Sequence, residues 1–302
     1  MTSIYSVEEL NDRRIQIWND HLIGYGSFGR VCQGWIRDER KLVAVKVVQT
    51  PSNHTEHIAQ QRELENCQQI AAAPHKNLVK VLHCEIRNSQ LHIVTEMYTC
   101  NYANFLRLSG GSQPVDLLRK TARHLAKGYK RLNEIGIIHR DIKPENIFVD
   151  IKSTGKFVVK IGDFGCSYLL GEDRDYDDHS TPRGLLCKAP EMFPQLNARF
   201  GSQPSHVQDM WSIGLTLYTG ATGASAIRLP VGRFVEESDF TVPIPDNLNV
   251  QLQSLLSHLL RYNHTERMNI DEMIRHPFLQ KTCKCSEEIF HEISSDYIKD
   301  KA

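Results

Sequence analysis

Ile138-His139-Arg140-Asp141-Ile142-Lys143-Pro144-Glu145-Asn146 is the stretch on which the reading of this chain turns. It gathers a carboxylate (Asp141), a lysine (Lys143) and an amide (Asn146) into one short polar loop. Ile135, Ile137 and Ile138 precede the loop, and Ile147, Phe148 and Val149 follow it. A polar loop between buried segments is where a rigid scaffold presents functional groups. The carboxylate suits acceptance of a hydroxyl proton, the lysine suits a phosphate, and the amide oxygen suits a hard cation. The plainer alternative is a turn between two core segments. The chemical reading requires the rest of the chain to supply a phosphate cradle, a second metal carboxylate and a substrate platform.

Composition narrows the classes. The 302 residues suffice for a large core or two lobes. Lys plus Arg and Asp plus Glu both number 36, and a net charge of zero argues against a general nucleic-acid binder, which is normally basic. Hydrophobic content of 40% and charged content of 24% describe an ordinary soluble protein. No run of 18 apolar residues offers a membrane span, and Met1 to Leu10 has no basic region leading into an apolar one. The eight cysteines are scattered with no C-x-x-C pair, which reads as reduced thiols in cytosol or nucleus. Cys283-Lys284-Cys285 is too short a pattern to claim a metal.

Residues 1–16 are mostly polar and are expected to form a lead-in tail. Ile23-Gly24-Tyr25-Gly26-Ser27-Phe28-Gly29-Arg30-Val31 then spaces three glycines so that backbone amides can approach phosphates. Dinucleotide-binding folds share that spacing but need a helix directly after it. Here Val31–Trp35 reads as a strand, Arg37–Arg40 as a charged turn, and Leu42–Val48 as a second strand, so the glycines cap a hairpin. Lys46 in that apolar strand must be paired if buried; its alternative is an edge charge facing water. Thr55–Ile70 reads as a helix with Leu64, Cys67 and Ala71 on one face. Leu78–Leu82 and Leu91–Val94 read as strands around an Asn88-Ser89 turn. Asp116–Ile135 is the clearest helix; its stripe Leu118, Ala122, Leu125, Ala126, Tyr129 and Leu132 reads as core, and Gly136 ends it. Ile147–Asp150 and Phe157–Ile161 form a hairpin leading to Asp163-Phe164-Gly165. Leu252–Leu260 reads as a helix, and Asn269 with Glu272 starts another.

These residues carry a family resemblance. The opening stretch resembles the catalytic loop of eukaryotic protein kinases, H-R-D-x-K-P-x-N; the glycines with Val43-Ala44-Val45-Lys46 resemble their glycine-rich loop and lysine strand; Asp163-Phe164-Gly165 and Ala189-Pro190-Glu191 match D-F-G and A-P-E. The resemblance covers residues 17–280 and implies an α+β bilobal kinase fold, with a small β-rich lobe at 17–95, a hinge at 96–99 and a larger helical lobe at 100–280, followed by a tail at 281–302. It implies an ATP-dependent serine/threonine protein kinase, Lys143 favouring Ser/Thr over Tyr. Asp141 would be the catalytic base, Lys143 and Lys46 would meet phosphates, and a helix glutamate would hold Lys46. Glu63 fits that place better, with Glu65 the alternative. ATP would meet Ile23, Gly24, Gly26, Ser27, Gly29, Val31, Ala44, the backbone of Glu96 and Tyr98, and Phe148, with Thr95 as gatekeeper. Asn146 and Asp163 would hold Mg²⁺. Arg140 would pair with a phosphate on the following segment, where Ser180 and its neighbour Thr181 are the candidates. Asp209 would brace the loop, and Arg267 would pair with Glu191.

The usual G-T of that segment is absent: its threonine position is Gly184, or Thr181-Pro182 fills the role with two inserted residues. This departure bears on substrate docking. Trp211 to Tyr218 followed by Ala221-Thr222-Gly223 resembles the IκB-kinase-related, TANK-binding-kinase-like branch. Partners implied are protein substrates and an upstream activating kinase, with no nucleic acid or membrane. The rival reading is a pseudokinase, an ATP-binding scaffold without turnover; it predicts loss of Lys46, Asp141, Asn146 or Asp163, and all four are present.

Overall fold

A computed structural model describes residues 7–10, 15–26, 29–152, 156–170, 188–192, 205–223 and 241–281. The chain divides into two compact units, one of Met1–Met97 with Phe164–Ser167 and one of Tyr98–Asp163 with Tyr168–Ala302.

The first unit is a six-stranded antiparallel sheet and one helix. Its strands are β1 (Val7–Leu10), β2 (Ile15–Gly26), β3 (Gly29–Ile36), β4 (Lys41–Val48), β5 (Val81–Arg87) and β6 (Gln90–Glu96), in the order β1-β2-β3-β4-β6-β5. Alternation along β4 explains the layering. Val43, Val45 and Val47 are fully buried and pack with Cys32, Ile36 and Val94, while Ala44 and Lys46 take the opposite face. Arg40 (φ 48) and the pair Asn88 (φ 50) and Ser89 (φ 62) turn the β3–β4 and β5–β6 hairpins in the left-handed region, which matches the right-handed twist of the strands. Helix α1 (His54–Ala72) starts at Asn53, whose side chain accepts from Glu56 N–H.

Two expectations are corrected. Within the expected 1–16 tail, the described residues are strand: Val7–Leu10 pairs with Ile15–Trp18, and Leu10, Ile15 and Ile17 are fully buried in the sheet core. Their short, mixed pattern carries no strand period; the tertiary partner supplies the order. The strand expected at Leu78–Leu82 runs from Val81 to Arg87 instead. Leu78 and Val79 are buried without joining it, while His83 to Arg87 pair with β6 despite their polarity, as suits a strand at the sheet edge.

The second unit is mainly helical. Its helices are α2 (Tyr102–Leu108), α3 (Val115–Glu134), α4 (His206–Thr222), α5 (Val250–Leu259), α6 (Ile270–Arg275) and α7 (Pro277–Gln280). Two small sheets join them: β7 (Cys100–Asn101) with β9 (Ile147–Ile151) and β10 (Phe157–Ile161), and β8 (Ile137–Ile138) with β11 (Tyr168–Leu169). The sequence reading contained neither α2 nor β7. Helix α4 is buried on nearly all sides from Gln208 to Tyr218, the pattern of a central core helix. Gly136 (φ 74) ends α3 in the left-handed conformation and sends the chain into β8.

Leu10→Ala tests whether β1 belongs to the folded unit. Removing this fully buried side chain is expected to lower stability by ~2–5 kcal/mol in urea denaturation; an unchanged midpoint would return the segment to the status of a tail.

Candidate active site

In the second unit the 139–146 loop is fixed from below. Asp209 of α4, itself fully buried, accepts from His139 N–H at 2.6 Å and from Arg140 N–H at 2.7 Å, one on each carboxylate oxygen. This grip holds Arg140 at φ 65, a conformation that L side chains adopt only when their surroundings require it. His139, also fully buried, reaches the Gly162 carbonyl through Nε2 at 3.1 Å, and its Nδ1 accepts from Asp141 N–H at 3.3 Å. The loop is thereby tied to the end of β10 as well.

Above that support the three chemical side chains converge. Lys143 Nζ lies 2.7 Å from Asp141 Oδ2, and Asn146 Nδ2 donates to the same oxygen at 2.8 Å and to the Asp141 carbonyl at 2.9 Å. Asp141 is 14% exposed and Lys143 22%, so the pair is partly shielded yet open to a visitor. Both amide hydrogens of Asn146 are committed, which turns its carbonyl oxygen into the available acceptor. Gly162 N–H donates to the Asn146 backbone carbonyl at 3.0 Å, and the next residue, Asp163, is itself held at φ 64. A neutral amide oxygen and one carboxylate fit Mg²⁺, which binds few protein groups and completes its shell with water and phosphate. Among the described residues no cluster of three or more His, Cys, Asp or Glu forms a self-sufficient cation cage.

Tyr98 and Phe148 come together, ring centroids 5.8 Å apart, with the Lys160 ammonium 5.4 Å above the Tyr98 ring. Arg140, only 4% exposed, stacks its guanidinium on Tyr168 at 4.4 Å. Ser180, Thr181 and Gly184 lie outside the described residues. Glu191 and Arg267 form a buried two-pronged pair, 2.6 Å and 2.9 Å, and Arg267 also lies over Trp211 at 5.1 Å.

In the first unit, sheet register assembles a second group. Gly24 faces Val31, and Val31 faces Lys46, in one cross-strand row; Ala44 follows on the same face and is opposite Thr95. Lys46 Nζ meets Glu63 Oε1 at 2.8 Å, with Glu63 4% exposed. Glu65 instead takes a hydrogen bond from Gln61, so the lysine's partner is Glu63. Gly165 approaches that carboxylate closely: a Cβ there would lie 3.2 Å from both Glu63 oxygens. Gly26 and Gly29 close the β2–β3 hairpin; Ser27 lies outside the described residues. Gly29 has a reason beyond phosphate approach, since a Cβ would fall 2.1 Å from the Val47 carbonyl oxygen. Gly24 has open space where its Cβ would be. Ile23 continues β2 beside it. The Glu96 side chain pairs with Lys41 at 2.7 Å and Lys80 at 3.6 Å, and its N–H donates to the Lys80 carbonyl at 3.2 Å.

The buried Asp209 carboxylate beneath the 139–146 loop and the Arg267–Glu191 pair belong to the second unit, and the Lys46–Glu63 pair beside the glycine hairpin belongs to the first. The chain belongs to the protein kinase domain family, whose model matches residues 18–279. It is 30% identical over 272 residues to mitogen-activated protein kinase kinase kinase 3 of Arabidopsis thaliana, covering 85% of this chain and 40% of that protein. It is 28% identical to serine/threonine-protein kinase fused of Drosophila melanogaster (86% of this chain, 31% of that protein). It is also 28% identical to human serine/threonine-protein kinase ULK1 (85% and 25%). The chain thus spans well under half the length of these relatives.

Arg267→Ala should leave Glu191 as an uncompensated buried charge. A loss of about 3–5 kcal/mol in urea denaturation is expected, because breaking a buried pair exposes its desolvation cost; a change below 1 kcal/mol would mean that the pair is readily replaced by water.

Proposed function

We propose that this chain is an ATP-dependent serine/threonine protein kinase that works in signalling. The observation that carries the proposal is the Asp141–Lys143–Asn146 cluster. Two donors hold Asp141 Oδ2, which leaves Oδ1 directed to an incoming hydroxyl. In the proposed reaction a serine or threonine oxygen attacks the γ-phosphorus of ATP, the bond to the β,γ-bridging oxygen breaks, ADP leaves, and the hydroxyl proton passes to Asp141. Such a base is typically worth ~10²–10⁴-fold in rate. Lys143 supplies positive charge beside the base, and Lys46, held by Glu63, supplies it to ATP phosphates. Mg²⁺ on Asn146 and Asp163 neutralises phosphate charge when bound. In the same proposal Ile23, Gly24, Gly26, Gly29, Val31 and Ala44 meet the nucleotide, and the backbones of Glu96 and Tyr98, together with Phe148, meet its base.

Protein substrates, an upstream activating kinase and a cytosolic or nuclear setting belong to the same proposal, as does phosphate control through Arg140. The mitogen-activated protein kinase kinase kinase among the relatives supports protein substrates and an upstream kinase. The relatives lend no support to the IκB-kinase-related branch, which rests on the short Trp211–Gly223 likeness and the long hairpin before Asp163.

Purified protein with Mg²⁺, labelled ATP and a generic protein substrate should place label on serine or threonine. Asp141→Asn should reduce transfer by ~10²–10⁴-fold with nucleotide affinity retained. Tight ATP binding without transfer, even after treatment with an activating kinase, would replace the proposal by the pseudokinase reading. In the same assay Glu63→Gln should weaken transfer by raising the KM for ATP, since Lys46 loses its charged partner; an unchanged KM would remove Lys46 from nucleotide binding.

A further inference from the structure

The Asp209 carboxylate that braces the 139–146 loop has a third donor, supplied by α3. The Tyr129 hydroxyl lies 2.9 Å from Asp209 Oδ2, the oxygen that also accepts from His139 N–H. The same hydroxyl is 3.1 Å from His206 Nδ1 and 3.0 Å from the His206 carbonyl oxygen. A phenol has one proton to donate, and the carboxylate is the strongest acceptor in reach. Burial, reinforced by the Asp209 charge, pushes the Tyr129 pKa far above its ordinary value, so the donor keeps its proton. His206 Nδ1 then donates into the tyrosine oxygen. That tautomer leaves Nε2 as the bare nitrogen, and Nε2 is buried with no hydrogen-bond partner among the described residues. Burial lowers the His206 pKa against the pull of Asp209, which favours the neutral ring this arrangement needs. The result is a polarised chain from His206 through Tyr129 to Asp209 and on to the loop amides.

Packing does not explain the hydroxyl. Tyr129 is fully buried in a stripe whose other members, Leu118, Ala122, Leu125, Ala126 and Leu132, are apolar, and a phenylalanine ring would fill the same space. The oxygen is placed where it fixes the rotation of the one carboxylate that serves two loop amides.

We infer that Tyr129 is a positioning residue of the phosphotransfer site, holding the amides of His139 and Arg140, and through them Asp141, by orienting Asp209. The catalytic consequence rests on the kinase reading above; the positioning itself does not.

Tyr129→Phe deletes one oxygen and keeps the ring. The variant should show kcat about tenfold lower with the KM for ATP unchanged, as expected for loss of one hydrogen bond to a charged group in a positioned site. Amide exchange followed by NMR should accelerate at His139 and Arg140 while the β9–β10 hairpin amides keep their wild-type rates. Wild-type kcat together with wild-type exchange at those two amides overturns the inference. So does exchange that rises evenly across the unit, which would make the hydroxyl a general stabiliser. If the wild-type protein transfers no phosphate, the kinase proposal fails, and the exchange comparison alone still decides whether Tyr129 positions the loop.

Discussion

One buried carboxylate organises the larger unit. Asp209 is wholly removed from water, and a charge so placed persists only if the protein supplies the hydrogen bonds that water would have made. Those bonds come from the backbone at His139 and Arg140 and from the Tyr129 hydroxyl. The requirement runs in both directions. The carboxylate takes two of its hydrogen bonds from the loop, and the loop, with Arg140 in a left-handed conformation, takes its support from the carboxylate. Helix α4 is buried on nearly all sides, so it gives the grip a rigid base.

Each of the other charged groups follows the same logic at a different depth. Arg267 and Glu191 satisfy each other in two parallel bonds, and the guanidinium spends its remaining donors on the carbonyls of Arg261, Tyr262 and Val207. Lys46 and Glu63 form the corresponding pair of the smaller unit. Asp141 and Lys143 are less buried, and there the incomplete satisfaction of the carboxylate is the useful feature.

How much of this could be read from the chain depended on range. The 139–146 loop was legible because its chemistry is local: the side chains that meet are two to five residues apart. The capping box at Asn269 and Glu272 was legible for the same reason. The choice between Glu63 and Glu65 needed the sheet that presents Lys46, since helical spacing ranks the two without deciding between them. β1 was invisible because four residues with no clear alternation acquire strand character only from β2. Tyr129 was readable as core but not as a donor, because its partner Asp209 lies eighty residues downstream.

The contact between Gly165 and Glu63 has a consequence of its own. The carboxylate that neutralises Lys46 also lies against a backbone position with no side chain, at a spacing where a Cβ would make it give way by a few tenths of an ångström. A single group therefore registers two conditions: that α1 has brought Glu63 to the sheet, and that the segment at Phe164–Ser167 follows one particular path, where Asn66 also takes hold of the Ser167 carbonyl. Displacement of either element is felt at the lysine. A bulky residue in place of Gly165 would press on the Glu63 carboxylate and through it bear on the pairing of Lys46.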